Sequence, residues 1–177
     1  MARFVALLRA VNVGGRKLPM AELRGLCGDL GWDEVATYVQ SGNVVFAASG
    51  SAAELETALE KAVEDRFGFH SEAMVRTAAQ WRALIGANPF ADDAKRAPGR
   101  VLLGVPKRPL AKAAAAGIAA RAAAGERVEV AGGALWFHYP QGVGRSKLTP
   151  SLIDRFAGSP VTARNWGTVT ALGEMLE

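Results

Sequence analysis

A chain of 177 residues is long enough for one well-cored domain or two small ones. Half of its residues are hydrophobic and 21% are charged, the proportions of a soluble globular protein, and no run approaches the roughly 20 apolar residues of a membrane span. The net charge of +4 permits an anionic partner without requiring one, and Lys and Arg are spread along the chain rather than gathered on one segment.

In chain order, Phe4 to Leu8 reads as a buried strand. Its apolar run is too short for a signal peptide and is stopped by Arg9, so a cytoplasmic protein is expected. Pro19, at a first-turn position, opens a helix with Met20, Leu23, Cys27 and Leu30 on one side, and Gly31 ends it. Cys27 is the single cysteine, which rules out an internal disulfide and suits a buried structural thiol. Val35 to Gln40 and Asn43 to Ala47 read as strands joined by a tight turn at Ser41-Gly42. Ser51 and Glu54 form a capping box ahead of Leu55, Leu59, Ala62, Val63 and Phe67 at helical spacing. Glu54, Glu56, Glu60, Glu64 and Asp65 read as the solvated surface of that helix. A strand from Ala73 to Arg76 and a helix from Thr77 to Ile85 follow.

The second half repeats this order. Arg100 to Val105 is a strand, and Pro109 opens an alanine-rich helix ending at Gly125. Arg127 to Ala131 and Ala134 to Tyr139 form a hairpin across Gly132-Gly133. Thr149-Pro150 caps a short helix stopped by Gly158, Val161 to Ala163 is a strand, and Asn165 to Leu176 is the last helix. Two short matches trace the repeat: Thr77-Ala-Ala-Gln-Trp81 with Thr162-Ala-Arg-Asn-Trp166, and Asn43-Val-Val-Phe46 with Ala134-Leu-Trp-Phe137. The pattern predicts an α+β chain of two ferredoxin-like (βαββαβ) units in tandem, each with an antiparallel sheet and an extra helix. The units are expected at 1–88 and 98–177 around a linker at 89–97, with one continuous sheet as a variant.

Strands one and two of a split unit run parallel, so the loop after the first and the hairpin after the second leave the same end of the sheet. That brings Arg9, Asn12, Gly14, Gly15, Arg16 and Lys17 beside Tyr38, Gln40, Ser41 and Asn43. Glycines that admit close approach, a helix start and three cations suit a phosphate, carboxylate or nucleotide. The competing reading is a tight turn with solvated cations, and the spacing matches neither the dinucleotide nor the nucleoside-triphosphate loop. The same topology predicts a second cluster of Arg145, Ser146 and Lys147 with Arg164, Asn165 and Trp166. There Trp166 offers either a stacking face for a base or a core contact, and Asn165 either a ligand group or a helix cap.

Catalytic signatures are few. His70 and His138 have no ligand-spaced partner, no paired carboxylates occupy the polar loops, and no metal site is expected. Ser41 and Ser146 lack a visible histidine base.

Several segments carry a family resemblance. They are Leu7-Leu-Arg-Ala-Val-Asn-Val-Gly-Gly15, Met20-Ala-Glu-Leu-Arg24, Thr37-Tyr-Val-Gln-Ser-Gly-Asn-Val44, Arg66-Phe-Gly-Phe69, Asn88-Pro-Phe90, Gly144-Arg-Ser-Lys-Leu-Thr149 and Arg164-Asn-Trp166. Together they resemble the DUF1697 proteins, a family of uncharacterised conserved bacterial proteins, over nearly the whole chain. Arg9-Ala10 stands where relatives carry Arg-Gly, and Trp166-Gly167-Thr168 is a second variation. The resemblance implies kinship and fold and hands over no catalytic residues and no cofactor.

Three functional readings stay open. The first is a binding module for a small anionic ligand or nucleic acid, although the strands lack the exposed aromatic row of an RNA-recognition sheet. The second is an enzyme acting on a phosphorylated or carboxylated metabolite, with Arg9, Asn12, Gln40, Ser41 and Asn43 orienting it. The third is a protein–protein interaction domain, for which a homodimer through the sheets is one form.

Overall fold

A computed structural model describes residues 1–177. The chain forms two compact units. One takes residues 1–82 together with 171–177, and the other takes residues 83–170. Each holds a four-stranded antiparallel sheet, so the two halves do not share one continuous sheet.

In the first unit, β1 (Ala2–Leu8), α1 (Met20–Asp29), β2 (Asp33–Tyr38), β3 (Asn43–Ala48), α2 (Ala52–Phe67) and β4 (Ala73–Thr77) follow in order, and α3 (Ala78–Gly86) begins directly after β4. The sheet order is β2-β3-β1-β4. One face of the sheet, with Phe4, Ala6, Leu8, Val44, Phe46 and Val75, packs with Leu23, Leu26 and Cys27 of α1 and Leu55, Leu59 and Val63 of α2. Trp32 stacks on Phe46 at 4.0 Å between ring centroids. Burial pushes the Cys27 thiol up to about 12, as expected of an inert core thiol. The capping box of α2 forms as expected, with the Ser51 hydroxyl accepting from Glu54 N–H and Glu54 accepting from Ser51 N–H. Pro19 occupies the cap position of α1 rather than its first turn.

The acidic side chains of α2 are more than a solvated surface. Glu60 accepts from the Ala73 N–H at 3.1 Å and Glu56 from the Val75 N–H at 2.8 Å, while Gln80 accepts from the Thr77 N–H at 2.9 Å. Three alternate amides of edge strand β4 are thus satisfied by side chains, and the edge is closed to further pairing.

The second unit contains α4 (Ala91–Arg96), which lies in the segment read as a linker, then β5 (Val101–Pro106), α5 (Ala114–Ala119), β6 (Arg127–Ala131), β7 (Ala134–His138), α6 (Pro150–Ala157) and β8 (Val161–Asn165). Its sheet order, β6-β7-β5-β8, repeats that of the first. The last helix, α7 (Trp166–Met175), contributes its final residues to the first unit, where the Arg3 guanidinium donates to the Met175 carbonyl at 2.8 Å. Thr149 caps α6 and the left-handed Gly158 ends it, as the sequence indicates. The alanine-rich helix is far shorter than expected. The N–H groups of Lys107, Arg108 and Ala111 go to Pro160, Ser159 and Ala157, so this stretch is tied to the α6–β8 connection instead of winding a helix from Pro109.

Strand registers reveal the true repeat. Phe4 pairs with Phe46 and Thr77, and Leu102 pairs with Phe137 and Asn165. The match of Asn43–Phe46 with Ala134–Phe137 therefore holds. Thr77 corresponds to Asn165, three residues from the Thr162 suggested by the sequence. Each opens the following helix: the Thr77 hydroxyl accepts from Gln80 N–H, and the Asn165 side chain accepts from Thr168 N–H. The preceding arginines correspond too, since Arg76 donates to the carbonyl of Val75 and Arg164 to that of Ala163.

Candidate functional site

The split-unit topology brings the β1–α1 loop and the β2–β3 hairpin together. The Leu8 N–H donates to the Gly42 carbonyl at 2.8 Å, and Asn12 Nδ2 donates to the Gln40 carbonyl at 2.6 Å. The Asn12 side chain also accepts from the Leu18 N–H at 2.9 Å and donates to the Leu18 carbonyl at 3.1 Å. Its own N–H donates to the Arg16 carbonyl at 2.7 Å. Asn12 therefore braces the loop from within, with both amide hydrogens engaged inside the fold. Asn43 acts similarly. It is fully buried, and its Nδ2 donates to the Tyr38 carbonyl and the Ser41 hydroxyl. Both are loop braces rather than free substrate contacts.

The hairpin differs from the expected two-residue turn. β2 ends at Tyr38, opposite Asn43, so four residues connect the strands. Val39 lies at φ 50° and Gly42 at φ 85°. A β carbon on Gly42 would approach Val11 Cγ2 to 2.7 Å, which explains why the two loops can close together only with glycine here. Ala10 and Asn12 are also left-handed, at φ 55° and 58°, followed by Gly14 and Gly15. Three of the four non-glycine residues with positive φ therefore fall in this loop pair.

Around the braced backbone stand the cations. Arg9 is half-buried, and its N–H donates to the Glu72 carbonyl at 2.9 Å. The half-buried Arg16 guanidinium lies 5.0 Å from the ring centre of Phe69, and Lys17 is exposed. Arg16 divides two depressions. One, of about 490 Å³, is lined by Asn12, Gly15, Arg16, Lys17, Pro19 and Gln40. The other, of about 230 Å³, is lined by Arg9, Ala10, Arg16, His70, Ser71 and Glu72. The Gln40 and Ser41 side chains are exposed at the hairpin tip, and Tyr38 is half-buried.

In the second unit, the contacts of the predicted cluster run elsewhere. The Ser146 hydroxyl donates to Glu126 Oε2 at 2.8 Å. Burial pushes the Glu126 carboxyl up, but hydrogen bonds from Ser146 and from the backbone outweigh it and hold it below the usual carboxylate range. A carboxylate so stabilised is a weak base, and the pair fastens one loop to another instead of activating Ser146. Arg164 is buried, and burial lowers it to about 10; it donates to Thr162 Oγ1 at 2.7 Å and to the Ala163 carbonyl. Trp166 is half-buried, 5.9 Å from the buried Trp136 ring, and Asn165 caps α7. Arg145 and Lys147 are exposed.

Residues 1–136 match the family model described as "Protein of unknown function (DUF1697)". The solved structure of the conserved bacterial protein SP0830 from Streptococcus pneumoniae is similar over 99% of each chain, with a TM-score of 0.72 and 22% identity, a likeness of fold. No curated protein matches the chain.

Proposed function

We propose that this chain, which belongs to the DUF1697 family, is a binding module for a small anionic ligand, held where the β1–α1 loop meets the β2–β3 hairpin. The observation that carries the reading is strained backbone at Ala10, Asn12 and Val39, locked by the Asn12 hydrogen bonds beside Arg16 and Lys17. Left-handed residues cost free energy and persist where the surroundings impose them, commonly at ligand sites. Alternating backbone conformations also turn successive N–H groups into a concavity that suits an anion. The depression of about 490 Å³ is of small-molecule size. In this reading Arg16 and Lys17 meet a phosphate or carboxylate, and the exposed Gln40 amide orients the rest of the ligand.

A thermal-shift screen at low salt tests it, with nucleotides, sugar phosphates, coenzyme A species and short oligonucleotides. A ligand at a hundred times its dissociation constant should add about 2.7 kcal/mol, seen as a rise of several degrees. Arg16→Ala and Gln40→Ala should each abolish the shift, and Arg145→Ala should keep it. A flat panel, or a shift retained in Arg16→Ala, refutes the reading. An oligonucleotide response that collapses steeply with added salt selects the nucleic-acid form.

A further inference from the structure

Beside the loop pair, the fold assembles a donor set that sequence spacing conceals. Glu60 comes from α2, and His70 and Glu72 come from the segment leading into β4. One ligand atom of each lies within 4.8 Å of the other two. His70 Nε2 faces Glu72 Oε1 at 3.4 Å, and His70 Nδ1 faces Glu64 Oε2 at 3.7 Å.

Acidic helix surfaces are ordinary, and this group differs in chemistry and in support. An imidazole stands among three carboxylates, so it supplies the nitrogen donor that an acidic patch lacks. A carboxylate behind a ligating histidine, and a backbone N–H behind a ligating carboxylate, are the usual outer supports of a metal ligand. Glu64, 3.7 Å from Nδ1, stands where a small turn of the exposed ring lets it take the first role. The N–H of Ala73, a wholly buried strand residue, fills the second by holding Glu60 Oε2 at 3.1 Å. His70 and Glu72 also line the depression of about 230 Å³ that Arg9 and Arg16 share, which leaves the open side of the group accessible to water or an anion.

We propose that Glu60, His70 and Glu72 bind one divalent transition-metal ion of the zinc or manganese kind, with Glu64 fixing the imidazole. One nitrogen and a pair of carboxylates suit such ions, whereas calcium takes six to eight oxygens and copper(I) prefers sulfur. Three carboxylates around one imidazole carry negative charge, most of which a dication offsets. Ligands of a tetrahedral zinc ion stand about 3.4 Å apart, which His70 Nε2 and Glu72 Oε1 already meet at 3.4 Å, so the widest pair needs to close by at most about 1.4 Å. The His70 side chain is 53% exposed and that of Glu72 30%, which leaves them room to rotate. The site uses different residues from the anion site, and either can fail without the other.

The test is titration of the metal-stripped full chain with Co²⁺, followed by visible absorption, and with Zn²⁺ and Mn²⁺ by calorimetry. One equivalent should bind, with a visible band for Co²⁺. His70→Ala should weaken binding at least about tenfold, and Glu64→Gln by about 10- to 100-fold. The metal-free melting temperature of His70→Ala should equal that of the wild type. Glu72→Gln, which keeps the shape of the side chain, should also weaken binding, and it decides the matter should His70→Ala unfold. Binding that never saturates, or that survives these substitutions undiminished, overturns the proposal.

Discussion

At the scale of single residues, Ala10 is the informative position. Its φ of 55° is one that a β carbon disfavours by about 1–2 kcal/mol. The DUF1697 resemblance expects glycine there. Glycine would relieve the strain and return part of the gain, because it also frees the unfolded chain. Ala10→Gly should therefore stabilise the protein by about 0.5–1 kcal/mol, read as a higher urea midpoint with an unchanged slope. A lower midpoint would mean that Ala10 is not held in this conformation in solution. Asparagine illustrates what residue type alone leaves open. The sequence places Asn12 and Asn43 in the loop pair, where their side chains are spent on the loop itself. Only the fold tells a brace from a contact.

At the scale of elements, the sequence is legible where the chemistry is local. The Ser51–Glu54 box and the Thr149–Gly158 limits of α6 depend on neighbours a few residues away. α5 is shorter than its alanine content suggests, because alanine favours helix whereas the hydrogen bonds that hold residues 107–111 come from residues 157–160. The grouping of Glu60, His70 and Glu72 is invisible in sequence for the same reason, since a helix, a loop and the segment entering a strand meet only after folding. In the sequence the acids of α2 look solvent-facing, because helical spacing cannot show a strand edge lying against them. The consequence is testable. Glu56→Ala with Glu60→Ala leaves the Val75 and Ala73 N–H groups without their carboxylates. Stability should fall by about 1–3 kcal/mol for each buried amide left unsatisfied. Light scattering should also show more self-association than for the wild type, because an open strand edge templates pairing. A double variant of unchanged stability and solubility would show that the edge needs no cover.

At the scale of the whole molecule, the two sheets repeat one strand order and the register of their three pairings, apart from a shift between Asp33 and Ala36 in β2 that β6 lacks, and no helix is long and apolar enough to cross a membrane. The repeat was legible as an order of elements. The assignment of residues 171–177 to the first unit was not, since no local pattern states which sheet a terminal helix joins. Removing residues 171–177 should speed hydrogen exchange in β1 and β3 at least about tenfold while β5 and β7 keep their protection, because local opening follows local contacts. Equal losses in both sheets would refute that assignment. The arrangement also imposes an order on biosynthesis. At about 5–20 residues per second, roughly 4 to 18 seconds separate the emergence of the first unit's N-terminal part from that of its last seven residues. The half made first is completed last: β1 is already flanked by β3 and β4, while its Arg3 guanidinium waits for the Met175 carbonyl.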